Sequence, residues 1–352
     1  MSTSGDDGSR INRVRLCALV SSQLNGLNQK PVQFDSAVAF GSVAELGPVA
    51  EFGSAVGVIR DGTAWVLLTD RHDRGLGPAL LWATHHLAGA LRVFTDEFAD
   101  DLARRASFFN FDIKIYDVSS NVPVLAAPNT VEIRETSFAD ELFADFITTA
   151  GADLTREHGV LAGEVCGLEV CRVVHDELGE SRLEIGVGAH DREIFQLLHG
   201  RTATIESLRK VVHEVASKRA ANAITHPLNQ LGRERLLRHL LCSSPELIDA
   251  VSLEPVSPPS PRANLKDPVP CCARGISCDG NILVAIFSIG VDPDVVTFGA
   301  DARQQINPTA DLVFVSPPRD AMPPIVQLAK MLHRPARFCG IDLLDVFTHP
   351  ED

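Results

Sequence analysis

GVIRDGTAWVLLT, residues 57–69, decides the fold. Two apolar runs flank Asp61-Gly62, a dipeptide favoured where both central residues of a tight turn take positive φ, so the stretch predicts a two-strand hairpin. Downstream the apolar period changes. GLGPALLWATHHL (75–87) predicts a helix, ALRVFT (90–95) a strand, FADDLARRASFF (98–109) a second helix and FDIKIYDV (111–118) a further strand. Strands alternating with helices of this length predict a parallel sheet wound with helices.

The same order returns near the C-terminus. ILVAIFS from Ile282 is followed by DPDVVTFGADARQQ, DLVFVS from Asp311, MPPIVQLAKML and the short strand ARFCGI. AWVLLTD matches ILVAIFS, LRVFTDE matches LVFVSPPRD, and DDLARRASFF matches PPIVQLAKML in type and spacing. The chain is therefore expected to be α/β, with Rossmann-like parallel-sheet units at both ends flanking a middle α+β domain. Pattern alone leaves open whether the two units share one sheet.

The expected boundaries are a disordered tail over 1–12, an N-terminal unit over 13–128, a middle domain over 131–245, a Pro-rich linker over 246–270 and a C-terminal unit over 271–352. In the middle domain, Ser137 with Asp140 makes a capping-box-like start. Phe138, Leu142, Phe143, Phe146, Ile147 and Ala150 then predict one apolar helical face. GEVCGLEVCRVV from Gly163 and RLEIGVG from Arg182 predict two strands, and HDREIFQLLHG a helix. RKVVHEVASKR (209–219) and RERLLRHLL (233–241) predict amphipathic helices with solvated basic faces. His226 and Asn229 are expected to be caps. The prolines of EPVSPPSPRANLKDPVP suit an extended linker.

A chain of 352 residues with 45% hydrophobic and 22% charged residues can bury a core, and its length favours more than one domain. A net charge of −14 argues against nucleic acid as a general partner, though not against a local basic stripe. No stretch reaches a bilayer-spanning apolar run, and the first residues lack the apolar core of a signal peptide, so a cytoplasmic location is expected. Eight irregularly spaced cysteines without a CxxC pair predict mostly buried, reduced thiols. Edge strands of open sheets pair readily, so the expected assembly is a monomer or homodimer.

Two places carry candidate chemistry. The link RHDRGLGP leaves a parallel strand at its carboxyl end, where open α/β sheets bind ligands. Arg71, His72, Arg74, Gly75 and Gly77 are therefore candidates for a small anionic ligand, held by helix N–H groups and guanidinium. The competing reading pairs these arginines with Asp70 and Asp73. The second place is acidic: Glu164, Glu169 and Glu184 lie on or beside adjacent strands, and His190 opens the next helix.

Helix, carboxylate-bearing hairpin, helix: this order weakly resembles the core of the PD-(D/E)XK nuclease fold. That resemblance implies a divalent metal held by Glu169 and Glu184, with Glu164 and His190 as further catalytic candidates. The motif's lysine position is occupied by Gly186, so hydroxide generation would rest on the metal alone. GLEVCRVV, GVGAHDREIFQLLHG, HPLNQLGRERLLRHLL and NLKDPVP also resemble an uncharacterised actinobacterial, mycobacterial-like family, a resemblance that implies no activity. On the residues, a ligand-binding or scaffold protein without catalysis is the leading expectation and a metal-dependent nuclease-like enzyme the alternative.

Overall fold

In the computed structural model, which describes residues 4–24, 48–69, 73–199, 203–219, 226–262, 264 and 266–343, the Asp61-Gly62 turn forms with φ of 48° and 71°. The described residues fall into two compact units. The first comprises Met1–Thr130, Pro293–Asp301 and Pro323–Pro335, and the second Val131–Asp292, Ala302–Met322 and Ala336–Asp352.

The first unit opens with α1 (Ser4–Leu24), so most of the expected disordered tail is helix. Its reason is tertiary. Leu16, Cys17, Leu19 and Val20 are buried against Val58, Trp65 and Leu67, and Arg15 pairs with Asp96. Each fully buried Leu contributes about 1.5–3 kcal/mol, which a polar helix of low amphipathicity cannot find alone. The sheet runs β1 (Ala50–Phe52), β2 (Ala55–Arg60), β3 (Thr63–Leu68), β4 (Ala90–Thr95), β5 (Asp112–Asp117) and β6 (Val124–Leu125) in that order. β3, β4 and β5 are parallel, and the outer pairings are antiparallel. α2 (Leu76–His85) and α3 (Ala99–Ala106) make the crossovers.

The second unit carries two sheets. Its middle sheet is an antiparallel meander of β7 (Asp153–Glu157), β8 (Val160–Val165), β9 (Leu168–His175) and β10 (Ser181–Ile185). GEVCGLEVCRVV is thus a hairpin and not one strand. Cys166 and Gly167 both take positive φ, 48° and 73°, and His158-Gly159 repeats the device one turn earlier. Both turns lack the Asn-Gly or Asp-Gly pair that marked the first hairpin. Before them, Ser137 caps as expected, accepting a hydrogen bond from the Asp140 N–H. The single helix expected after it breaks into α4 (Phe138–Glu141) and α5 (Ala144–Thr149). Phe138 and Leu142, assigned to its apolar face, are 84% and 69% exposed. Only the Ile147 end enters the core.

α6 (Gly188–His199) and α7 (Ile205–Lys218) follow, the latter with a reciprocal Thr204–Ser207 capping box. Next comes α8 (Arg233–Ser243), which the sequence placed in the middle domain as an amphipathic helix with a solvated basic face. The structure corrects the solvated face and shows what the apolar side packs on. Leu236, Leu237 and Leu241 are buried among Cys271, Ala273, Leu283 and Ala285 of the C-terminal sheet. Arg235 and Arg238 are buried too, at 8% and 1% exposure.

The C-terminal sheet is β11 (Ala250–Val256), β12 (Cys271–Ser277), β13 (Ile282–Phe287), β14 (Asp311–Ser316) and β15 (Arg337–Gly340). β11 lies within the expected linker; Pro255 is tolerated because β11 is an edge strand. α9 (Val295–Ile306) joins β13 to β14, and α10 (Pro323–Lys330) joins β14 to β15. The first five strands of the N-terminal sheet and the five of this one follow one pattern, two antiparallel pairings and then two parallel ones. The α/β class holds, in separate sheets. Among the described residues no helix is long and apolar enough to cross a membrane.

Candidate functional site

The strand-end loop after β3 was expected to present helix N–H groups to an anion. Arg71 and His72 lie outside the described residues. The N–H groups of Gly75 and Gly77 do meet a carboxylate, at 3.0 and 2.7 Å, but it is the chain's own Asp294. Gly77 is glycine for a steric reason, since a Cβ there would fall 2.0 Å from the Pro293 carbonyl oxygen. Arg74 stands 3.9 Å from Asp294, and Arg105 hydrogen-bonds both the Asp73 carboxylate and its carbonyl. The helix end that an external anion would use is filled by a residue 217 positions away. Behind it, Arg104 and Arg105 converge on fully buried Asp301. Burial alone would push that carboxyl up; the two guanidinium groups overcome it and hold it below the usual range.

The acidic patch divides into two. Glu169 on β9 and Glu184 on β10 do approach one group, and that group is Arg192 of α6. Its Nη1 lies 2.9 Å from Glu169 Oε1, and its Nε lies 3.5 Å from Glu184 Oε2, an ion-pair distance. Arg172 completes a two-pronged grip on Glu169 at 2.8 Å, while Arg182 and Gln196 hold Glu184. Burial would lower the Arg172 pKa, and Glu169 with Glu184 raises it instead. Gly186 is explained as well. With φ of 142°, it lies where a Cβ would sit 2.7 Å from the Arg192 backbone N, so a lysine there would displace α6.

Glu164 on β8 belongs to the second group. Although it pairs in register with Glu169, it hydrogen-bonds Arg235 at 2.6 Å and Arg238 at 2.9 Å. Glu157 on β7 meets the same two arginines. Arg238 is raised above its usual range: burial opposes its charge, and Glu164 leads the groups that restore it. His190 is exposed on the first turn of α6, and none of the partners of Glu164, Glu169 or Glu184 just named is that histidine. Among the described residues no group of three or more His, Cys, Asp or Glu side chains is placed to hold a metal ion.

A groove of about 780 Å³ opens between α6 and α7. Val187, Phe195, Val211 and Leu228 give it an apolar floor, and Asp191, Glu206 and Glu214 stand around it with Lys210. Its existence follows from helix spacing: Val211 and Val215 are four apart on α7 and face the sheet side, while Lys210 and Glu214, one residue earlier, turn to the rim. Glu214 is shared with Lys218. No family model, curated protein or solved structure matches the chain.

Arg192, Arg235 and Arg238 are the residues that sequence reasoning missed. HDREIFQ does place Arg192 just after the carboxylate-bearing strand. The i, i+3 pair Arg235 and Arg238 carries no mark separating it from a solvated basic face, because the glutamates it meets lie over 70 residues away. His226 does cap, its Nδ1 accepting from the Leu228 N–H, whereas Asn229 is buried and donates to the Lys218 carbonyl.

Proposed function

We propose that the protein binds a ligand without transforming it, and that the groove between α6 and α7 takes an apolar molecule carrying a positive charge. The observation that carries this reading is the contrast between arginine-neutralised carboxylates elsewhere on the middle sheet and a rim where Asp191 and Glu206 join the Lys218-paired Glu214 over an apolar floor, leaving acidic groups in excess of Lys210. Binding pockets commonly combine an apolar lining with a few polar groups that fix orientation. The rim adds the sign of the charge. All eight cysteines are unpaired, which supports a reducing, cytoplasmic setting.

A thermal-shift series separates the chemistry. Straight-chain alkylamines are expected to raise Tm where alkylcarboxylates of equal length do not, and the response is expected to disappear in Phe195→Ala and to weaken in Glu206→Gln. Equal responses to amines and carboxylates, or an amine response untouched by Phe195→Ala, would remove the groove as the site.

A further inference from the structure

A second groove, of about 600 Å³, is built from four pieces of the second unit: the segment 131–134, the His158-Gly159 turn between β7 and β8, the run 256–261 that leaves β11, and the last turn of α9. Two of these pieces are pinned to the turn. The His158 N–H donates to Ser257 Oγ at 3.0 Å. A Cβ on Gly159 would fall 3.2 Å from Arg134 Cβ and 3.3 Å from the Glu135 carbonyl oxygen, so glycine lets that segment lie close. His158 itself takes φ of 53°, a left-handed conformation that non-glycine residues seldom adopt and that persists where neighbours impose it, as the Ser257 hydroxyl does here.

Pro258, Pro259 and Pro261, with Val256 and Ile306, give the groove apolar walls. Each proline ring locks its own φ, so these walls are rigid and suit a planar ring better than a flexible chain. The polar groups are few. Arg274 is engaged by Glu254. Arg134 is exposed and makes no hydrogen bond or ion pair among the described residues. His158 lines the groove with them, and its Nε2 is buried without a hydrogen-bond partner among the described residues, although buried polar atoms are nearly always paired. Burial holds this imidazole below its usual value; Glu157 opposes the shift, and Arg134 adds to it. An anion beside both groups would give the guanidinium a partner and relieve its repulsion of the imidazolium.

We propose that this groove binds a planar aromatic carboxylate, its ring against the proline walls and its carboxylate against Arg134 and His158. A guanidinium meets a carboxylate through two parallel N–H bonds, a geometry and a charge that a neutral amide of the same shape does not match. Glu132 lines the groove too and works against a negative ligand, so the carboxylate belongs at the Arg134 and His158 side. The site shares no lining residue with the groove between α6 and α7 and selects the opposite charge, so the two readings stand or fall separately.

The test is isothermal titration of the full-length chain with 2-naphthoate and with its neutral amide, 2-naphthamide. Naphthoate is expected to bind about tenfold more tightly than the amide, the worth of one charge-assisted hydrogen bond. Arg134→Gln, at an exposed position, is expected to erase that preference, and Glu132→Gln to enlarge it. A bound carboxylate favours the imidazolium, so naphthoate is expected to bind the native chain more tightly at pH 6 than at pH 8, and His158→Gln to remove the difference. Glu157, Arg134 and Arg235 also act on the ring, and Glu132 lines the groove, but glutamate and arginine do not ordinarily titrate in this range. Should His158→Gln fail to fold, Arg134→Gln and the native pH profile still decide. Phe195→Ala, which strips the floor of the other groove, is expected to leave naphthoate binding intact. Equal affinities for naphthoate and naphthamide, a preference untouched by Arg134→Gln, equal native affinities at the two pH values, or binding abolished by Phe195→Ala overturns the proposal.

Discussion

Two pairs of glutamates stand on the same four-stranded meander and are neutralised in different ways. Glu157 and Glu164, toward its β7 end, face Arg235 and Arg238 from α8, where the Arg238 side chain is 1% exposed. Glu169 and Glu184, toward its β10 end, face Arg192 from α6, and Arg172 and Arg182 beside them remain 37% and 30% exposed. The first group is closed, each carboxylate bridging two guanidiniums across a buried interface between the meander and the helix that completes the C-terminal core. The second is shielded less completely, because water reaches its carboxylates alongside Arg172 and Arg182. In the closed group desolvation is severe, so the arrangement tolerates no missing partner; in the second, Arg172, Arg182 and the water beside them partly substitute for a lost one. Identical side chains therefore fasten two sheets in one place and only trim a strand end in the other.

Breaking the closed group should have the largest effect. Arg238→Ala leaves Glu164 buried with one partner fewer and is expected to cost about 3–5 kcal/mol in denaturant unfolding. The double change Glu164→Leu with Arg238→Leu is expected to recover much of that loss, because no charge is then stranded. A single change costing under about 1 kcal/mol would show that the network is hydrated in solution.

Next comes Arg192→Ala, expected to cost about 1–2 kcal/mol, the scale of a lost charge-assisted hydrogen bond at a half-buried place. It sharpens the comparison in a second way. Without Arg192, Glu169 and Glu184 repel, and millimolar Ca²⁺ is expected to raise the Tm of the variant while leaving the native chain unchanged. A native chain stabilised by Ca²⁺ or Mg²⁺ to the same extent would bring back the nuclease-like reading.

The pH response distinguishes the groups further. Burial alone would push the Glu157 carboxyl up, and Arg235 with Arg238 overcomes it, so the folded value lies below the ordinary 4.5. A depressed carboxyl contributes stability that is present above 4.5 and lost as pH falls through the folded value. Acid unfolding followed by circular dichroism should show this loss in the native chain, and Glu157→Gln should flatten it.

The smallest effect is on the alkaline side. His239 is raised from 6.5 to about 9, first by the Asp153 hydrogen bond and then by the Cys166 thiol. A raised imidazole contributes fully below 6.5 and loses its contribution as pH climbs through about 9. Because Asp153 is mostly exposed, solvent screening keeps this below about 1 kcal/mol. Comparing native and Asp153→Asn Tm values at pH 6 and pH 10 reads it directly, with the gap expected at pH 6 and closed at pH 10.

The sequence by itself determined the elements whose signals are local. Asp61-Gly62 with its flanking apolar runs specified a hairpin, and near-continuous runs such as ILVAIF and DLVFVS specified strands buried on both faces of a parallel sheet. Ser137 specified a helix start, because a cap needs only a hydroxyl and an N–H three residues on. Tertiary structure alone decided the rest. The apolar period from Phe138 to Ala150 did not reveal that only one end of it would meet a core. Cys166-Gly167 and His158-Gly159 turned the chain without the residues that usually announce such turns. Above all, the sequence showed carboxylates and arginines without their pairing. Asp294 fills the helix end offered by Gly75 and Gly77 from 217 residues away, and Arg238 reaches Glu164 from 74. A charge's role depends on which opposite charge folding brings within 3 Å and how much water it excludes there, and neither quantity is carried by local sequence.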